Sequence, residues 1–131
     1  MLKAIDIMNT PIVAASRKAS AREVALYMLL GGFSGVPIAE PDGSLSGIVT
    51  ELDLLRALRS GRSLDTTLVE ELMTRTVLTV DVETSVDEIM DLLDTERILR
   101  VPVTRNGKVV GIVSRPDLLR AAVQPQFIRV G

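Results

Sequence analysis

Apolar and polar positions along the chain fall into one pattern used twice. Short β-rich runs at residues 12–15 and 77–80 open each copy. Each is followed by a serine with a glutamate three positions on, Ser20 and Glu23, then Ser85 and Glu88. That spacing predicts a capping box, in which both side chains satisfy free N–H groups at a helix start. After Ser85, Val86, Ile89, Met90, Leu92 and Leu93 make an apolar face at helical spacing. The helix after Ser20 is more uniformly apolar (Val24, Ala25, Tyr27, Met28, Leu29, Leu30), which predicts deeper burial. Gly31 and Gly32 close it.

Two strands follow in each copy. Val36, Pro37, Ile38 and Ala39 face residues 45–49 across a turn holding Pro41, Asp42 and Gly43. Residues 101–104 face residues 109–113 across Asn106-Gly107, a hairpin signal because both central residues take positive φ. A proline just inside each leading strand predicts a strand start or a sheet edge. A last helix begins after Thr50 and again after Ser114, each with the core Asp-Leu-Leu-Arg-Ala. The order is strand, helix, strand, strand, helix, twice. Residues 1–58 hold the first repeat, 59–72 a polar connector ending in a short helix, and 73–122 the second repeat. Gln124, Pro125 and Gln126 end the second copy, and the tail to residue 131 is either an edge strand or frayed.

Met8, Ser20, Glu23, Val36 and Pro37 recur 65 positions on, and Gly47, Asp53 and Ala57 recur 64 positions on. One supersecondary unit used twice implies mutual burial of apolar faces and two related sites. Each copy alone, at roughly 60 residues, is small enough to be marginal. The 131 residues are 47% hydrophobic with a net charge of −2, so nothing steers the whole chain toward nucleic acid. Cysteine and histidine are both absent. That removes disulfides, thiol nucleophiles, His-ligated metal and Ser-His pairs, and no metal site or catalytic residue is expected. No signal-peptide core or membrane-length apolar run is present, so a cytoplasmic protein is expected.

Three matched pieces carry a family resemblance. They are Asp6-Ile7-Met8 with Glu71-Leu72-Met73, Val36-Pro37-Ile38 with Val101-Pro102-Val103, and the Gly-hydrophobic-hydrophobic-Thr/Ser-x-x-Asp segments at 47–53 and 111–117. In this order, twice, they resemble the cystathionine β-synthase (CBS) domain family, and the chain resembles a tandem pair, or Bateman module. The resemblance implies an α/β (α+β) fold of two βαββα repeats related by pseudo-twofold symmetry, sheets packed together and helices outside. It implies adenosine compounds bound between the repeats, with Asp53 and Asp117 on ribose hydroxyls and Thr50 and Ser114 near phosphate. Val36, Pro37, Ile38, Val101, Pro102 and Val103 would wall the adenine, with Thr79 and Thr84 at weaker contact positions. It also implies a homodimer formed through helices, for which Leu26, Met28 and Leu29, or Leu54, Leu55 and Leu58, offer apolar surface.

The residues themselves allow two readings of each Thr/Ser-x-x-Asp. It is an ordinary helix cap, and it is also a carboxylate able to take two hydrogen bonds from a ribose diol beside a helix N-terminus suited to phosphate. The copies differ. Arg97, Arg100 and Arg115 stand where the first copy has Gly32, Gly35 and Glu51, so the Asp117 site is expected to be the better phosphate site. The function expected is a regulatory module sensing AMP, ADP or ATP and signalling to a separate protein in trans, without chemistry of its own. The alternatives are a structural or oligomerisation module without ligand, or a binder of NAD, S-adenosylmethionine or coenzyme A.

Overall fold

A computed structural model describes residues 1–10 and 12–127. The chain is a mixed α and β protein with two small sheets, each carrying helices. It packs as two units, and neither is a single sequence repeat. One unit joins Met1–Ile12 to Leu78–Asn106 and the chain from Val110 onward; the other holds Val13–Val77 with the hairpin tip Gly107–Val109. The N-terminal segment thus belongs with the second repeat, and the connector belongs with the first.

In the Val13–Val77 unit, β1 (Gly35–Ala39) and β2 (Leu45–Thr50) pair antiparallel with a bulge between Ile38 and Ala39. Helices α2 (Ala21–Gly31) and α3 (Glu51–Arg59) pack beside this hairpin, numbered after the one-turn helix α1 (Ala4–Ile7). The core gathers Val24, Met28, Val36, Ile38, Val49 and Leu54. The connector is not simply polar. Its 3-10 turn (Val69–Glu71) sends Val69 fully into the core, Met73 follows, and Thr74 exchanges two backbone hydrogen bonds with Ile48.

In the other unit, β3 (Val80–Asp81), β4 (Arg100–Arg105) and β5 (Lys108–Ser114) lie in that order. Helices α4 (Val86–Glu96) and α5 (Arg115–Phe127) pack together, and α1 joins them. Ala4 is fully buried and its N–H donates to the Thr84 carbonyl, while Asn9 bridges to Ile112. The Asn106-Gly107 turn has φ of 52° and 78°, as the hairpin signal requires. Helix α5 continues past Pro125 to Phe127, beyond the end expected for the second copy; the rest of the tail lies outside the described residues.

The leading runs at 12–15 and 77–80 shrink to a single bridge, Ala15 to Ile38, and the two residues of β3. Proline explains both. Ala15 N–H donates to Pro37 C=O, and Ala39 N–H donates to Ala15 C=O. The next rung of that parallel ladder would be a Pro37 N–H donating to Val13, and proline has none. Pro102 removes the same rung opposite Leu78. Neither proline marks a strand start, for both are fully buried in mid-strand; β4 is the central strand of its sheet, whereas β1 is an edge of its two-stranded sheet with the Ala15 bridge beyond it.

Two further expectations are corrected. Helix α2 does bury Ala21, Val24 and Met28, where α4 buries Ile89 and Leu93, but its apolar run is not buried as a whole, for Leu29 and Leu30 are 79% and 86% exposed. Ser20 and Ser85 each accept the N–H three residues on, at 3.1 Å, but among the described residues neither glutamate returns the bond, so these are half boxes.

The two units share one packing device. A Cβ on Gly47 would lie 2.6 Å from the Thr74 carbonyl oxygen, and one on Gly111 would lie 2.6 Å from the Met8 Sδ. Gly47→Ala therefore presses on backbone, and overpacking of this kind costs about 1–3 kcal/mol; Gly111→Ala meets a flexible thioether and should cost less. Urea unfolding of both variants checks the order. Acid lability is expected as well. The Lys18 ammonium holds Glu70 below its ordinary value of 4.5, and the Leu68 N–H followed by Arg62 does so for Glu71. Their stabilisation is complete above the unfolded value and is lost as pH falls through the lower folded value. Stability should fall below about pH 4.5, and Glu70→Gln should flatten that limb in thermal melts across pH.

Candidate functional site

Each last helix begins where an apolar strand delivers a hydroxyl residue onto the first helical turn. Thr50 ends β2 in extended conformation and caps α3. Its Oγ1 accepts the Asp53 N–H at 3.4 Å, and Asp53 Oδ2 accepts the Thr50 N–H at 2.8 Å and its hydroxyl at 3.0 Å. Among the described residues, every hydrogen bond to the Asp53 carboxylate goes to Oδ2. The outer oxygen Oδ1 keeps its lone pairs for another donor.

Asp117 starts from the same geometry and ends elsewhere. Its Oδ2 accepts the Ser114 N–H at 2.7 Å and the Ser114 hydroxyl at 2.8 Å. The Asn9 amide donates to the same oxygen at 2.8 Å, and the Arg120 guanidinium closes on Oδ1 at 2.6 Å. The residue is buried, 4% exposed, with both oxygens engaged. Arg56 and Thr74 hold the positions matching Arg120 and Asn9, yet among the described residues neither bonds to Asp53. The duplicated Asp-Leu-Leu-Arg signals Arg120 from sequence, whereas nothing local signals Asn9, which lies 108 positions from its partner.

The other candidate residues separate. Val36, Ile38, Val101 and Val103 are core side chains, and Pro37 and Pro102 are fully buried, so ordinary side-chain walls would have to come from elsewhere. Thr79 is exposed. Thr84 accepts the Asp81 N–H at 3.0 Å through Oγ1, a turn closure. Among the described residues Arg97 and Arg115 make no hydrogen bond or ion pair with the Asp117 carboxylate. Together they line a groove of about 500 Å³ between α4 and α5, with Met90, Leu93, Asp94, Ile98, Leu99, Leu118 and Leu119. Arg100 opens β4, half-buried, and is not among the groove's lining residues. Arg97 takes φ 55° at the end of α4, the left-handed position that Gly32 occupies after α2 at φ 71°. A side chain there costs about 1 kcal/mol relative to glycine.

Removing each carboxylate should show the difference between the copies. Asp117→Ala removes a buried carboxylate and leaves the Asn9 amide and the Ser114 N–H without their acceptor, which should cost about 1–3 kcal/mol; Asp53→Ala loses a half-buried cap, about 1 kcal/mol. Urea denaturation of the two variants measures the gap.

A model of the CBS domain matches residues 4–60 and again residues 69–124. Hypoxic response protein 1 of Mycobacterium tuberculosis is 29% identical over 121 residues, covering 92% of this chain and 85% of that protein. The solved CBS domain pair of protein MJ0100, in complex with 5′-methylthioadenosine and S-adenosyl-L-methionine, aligns with a TM-score of 0.85 at 29% identity, over 96% of this chain and 99% of that one. CBSX2 in complex with AMP aligns at 0.83 and 25% identity, over 96% and 99%. Hypoxic Response Protein I was solved with two coordinated zinc ions, TM-score 0.83 at 28% identity, over 91% and 98%. The donors here do not fit such ions: the chain has no histidine or cysteine, and among the described residues no three acidic side chains converge. Among the described residues, no helix is long and apolar enough to cross a membrane. Two matched strand–helix junctions, each with its hydroxyl and carboxylate, are thus the two halves of one family's repeat, and the chain belongs to the CBS domain family as a tandem pair.

Proposed function

We propose that the chain is a regulatory module that binds an adenosine nucleotide (AMP, ADP or ATP) at the Thr50–Asp53 and Ser114–Asp117 helix starts. It signals by a conformational or assembly change to a separate protein in the cytoplasm and has no chemistry of its own. The structural relatives' ligands support this, because AMP, 5′-methylthioadenosine and S-adenosyl-L-methionine share an adenosine. Their common ribose diol needs an acceptor. The observation that carries the reading is Asp53 Oδ1, a carboxylate oxygen without a donor among the described residues, at the start of a nine-residue helix. Oxygen lone pairs take the diol, and the helix N-terminus favours the anionic end of a nucleotide.

The first site is the stronger one in this reading, the reverse of the order the arginines suggest. Asp117 already satisfies Asn9, Arg120 and Ser114, so a ribose there has to displace one of them. Arg97 and Arg115 lie in the α4–α5 groove and are not assigned to phosphate, and Thr79 and Thr84 are assigned no contact. The main chain around Val36, Pro37 and Ile38 and around Val101, Pro102 and Val103 is the part of those segments left to meet adenine. A ligand moves the module between states only as far as it binds one state better.

Thermal melts with AMP, ADP, ATP, 5′-methylthioadenosine, S-adenosylmethionine, NAD and coenzyme A test the proposal. A ligand at one hundred times its dissociation constant adds about 2.7 kcal/mol. Calorimetry should show Asp53→Ala weakening binding about tenfold or more, with Asp117→Ala affecting affinity less. An equal or greater loss from Asp117→Ala would overturn the ranking of the sites. No shift with any adenosyl compound would leave the module a structural one.

A further inference from the structure

The Asp117 carboxylate is closed by its own helix. Arg120, three positions on, sets its guanidinium on Oδ1 at 2.6 Å, while the Asn9 amide, the Ser114 N–H and the Ser114 hydroxyl all donate to Oδ2. The donors to Oδ2 are held in place: Ser114 ends β5, and Asn9 is bridged through its backbone to Ile112. Arg120 is held by nothing else. Its side chain is 58% exposed, and among the described residues this contact is its one side-chain bond.

The first copy carries the same two residue types at the same spacing, Asp53 and Arg56, and among the described residues they do not pair. Burial accounts for the difference. Asp53 is half-buried, so water can solvate its outer oxygen, whereas a carboxylate as enclosed as Asp117 needs a compensating charge. Arg120 supplies that charge and occupies the oxygen a ribose diol would use. Little else at this helix start is free to meet a phosphate. The Arg115 N–H donates to the Leu99 carbonyl at 3.1 Å, Pro116 has no N–H, and the Arg97 and Arg115 side chains line the α4–α5 groove.

We infer that Arg120 plugs the second site and decides its ligand class: the guanidinium leaves Asp117 only for a ligand that brings an anion to receive it. This rests on the proposed reading of the two aspartates as ribose acceptors. A nucleotide supplies both halves of the exchange. Its diol replaces the guanidinium on Oδ1, and its phosphate takes the guanidinium that Oδ1 gives up. A phosphate-free nucleoside supplies only the first half. Binding it leaves the arginine without a charge partner, the loss of one charge-assisted hydrogen bond, about tenfold to a hundredfold in affinity. The first site has no plug and accepts an adenosyl ligand with or without phosphate. The two copies therefore differ in the class of ligand they admit as well as in strength.

AMP and adenosine differ only in the phosphate, and their stoichiometry on the full chain tests the inference by native mass spectrometry and calorimetry. Over one concentration range, wild type should take two AMP but one adenosine per chain. Arg120→Leu unplugs Oδ1 and should admit a second adenosine, so that the preference of that site for AMP falls about tenfold or more. Its affinity for the second AMP should change little, because in wild type the arginine exchanges one anion for another. Arg120→Lys keeps a mobile cation and should restore the wild-type pattern, which a merely structural pair would not require. The wild-type comparison and the lysine variant keep the test valid if Arg120→Leu folds poorly. Two adenosines on wild type, or a count unchanged in a folded Arg120→Leu, would overturn the inference and leave the two sites standing. Silence from both compounds would overturn the reading of the sites, and the inference with it.

Discussion

The fold depends on a methionine laid across a glycine, made once in each unit. Met8 covers Gly111 and Met73 covers Gly47, so the segment leading into each repeat finishes the unit built around the other repeat. Only hydrogen at those two strand positions lets the leader approach, and in one of them a backbone carbonyl comes as close as the sulfur. Two repeats of about 60 residues would each be marginal alone. Exchanging leaders supplies each with a buried Val69 or Ala4 and with the extra backbone hydrogen bonds of Thr74 or Asn9.

The same exchange reaches the polar sites. Asn9 arrives with the leader that covers Gly111, and its amide completes the shell around Asp117. Thr74 arrives with the other leader and, among the described residues, makes no bond to Asp53. A cap and a recognition group are therefore built from the same atoms in both copies, and one amide side chain with one guanidinium separates a satisfied carboxylate from an available one. The asymmetry has a price in backbone as well, since Arg97 keeps a conformation that Gly32 adopts freely.

Features governed by nearest neighbours were legible in the sequence. The Asn106-Gly107 turn, the Gly32 helix end, and the starts of α3 and α5 after Thr50 and Ser114 depend on φ/ψ preference and on bonds three residues long. Features set by a distant strand were not. Pro37 and Pro102 read as strand-start or edge residues because proline lacks an N–H; in the fold both sit in mid-strand and cut a parallel ladder, and Pro102 does so in a central strand. The apolar stretch of α2 read as burial because hydrophobicity does not say which way it faces. Sequence position set Arg97, Arg100 and Arg115 beside one motif but could not show that Arg97 and Arg115 share an apolar groove between α4 and α5 that Arg100 does not line.

By itself the sequence determined the duplicated unit, its family, its helix caps and its two hydroxyl–carboxylate pairs, all of which follow from local spacing and repetition. Only the tertiary structure decided which leader closes which unit, which aspartate is already satisfied, and which leucines remain exposed. Those outcomes turn on contacts between residues as far apart as Asn9 and Asp117. Nothing in the local pattern encodes such a distance; it is set when the backbones meet over a glycine.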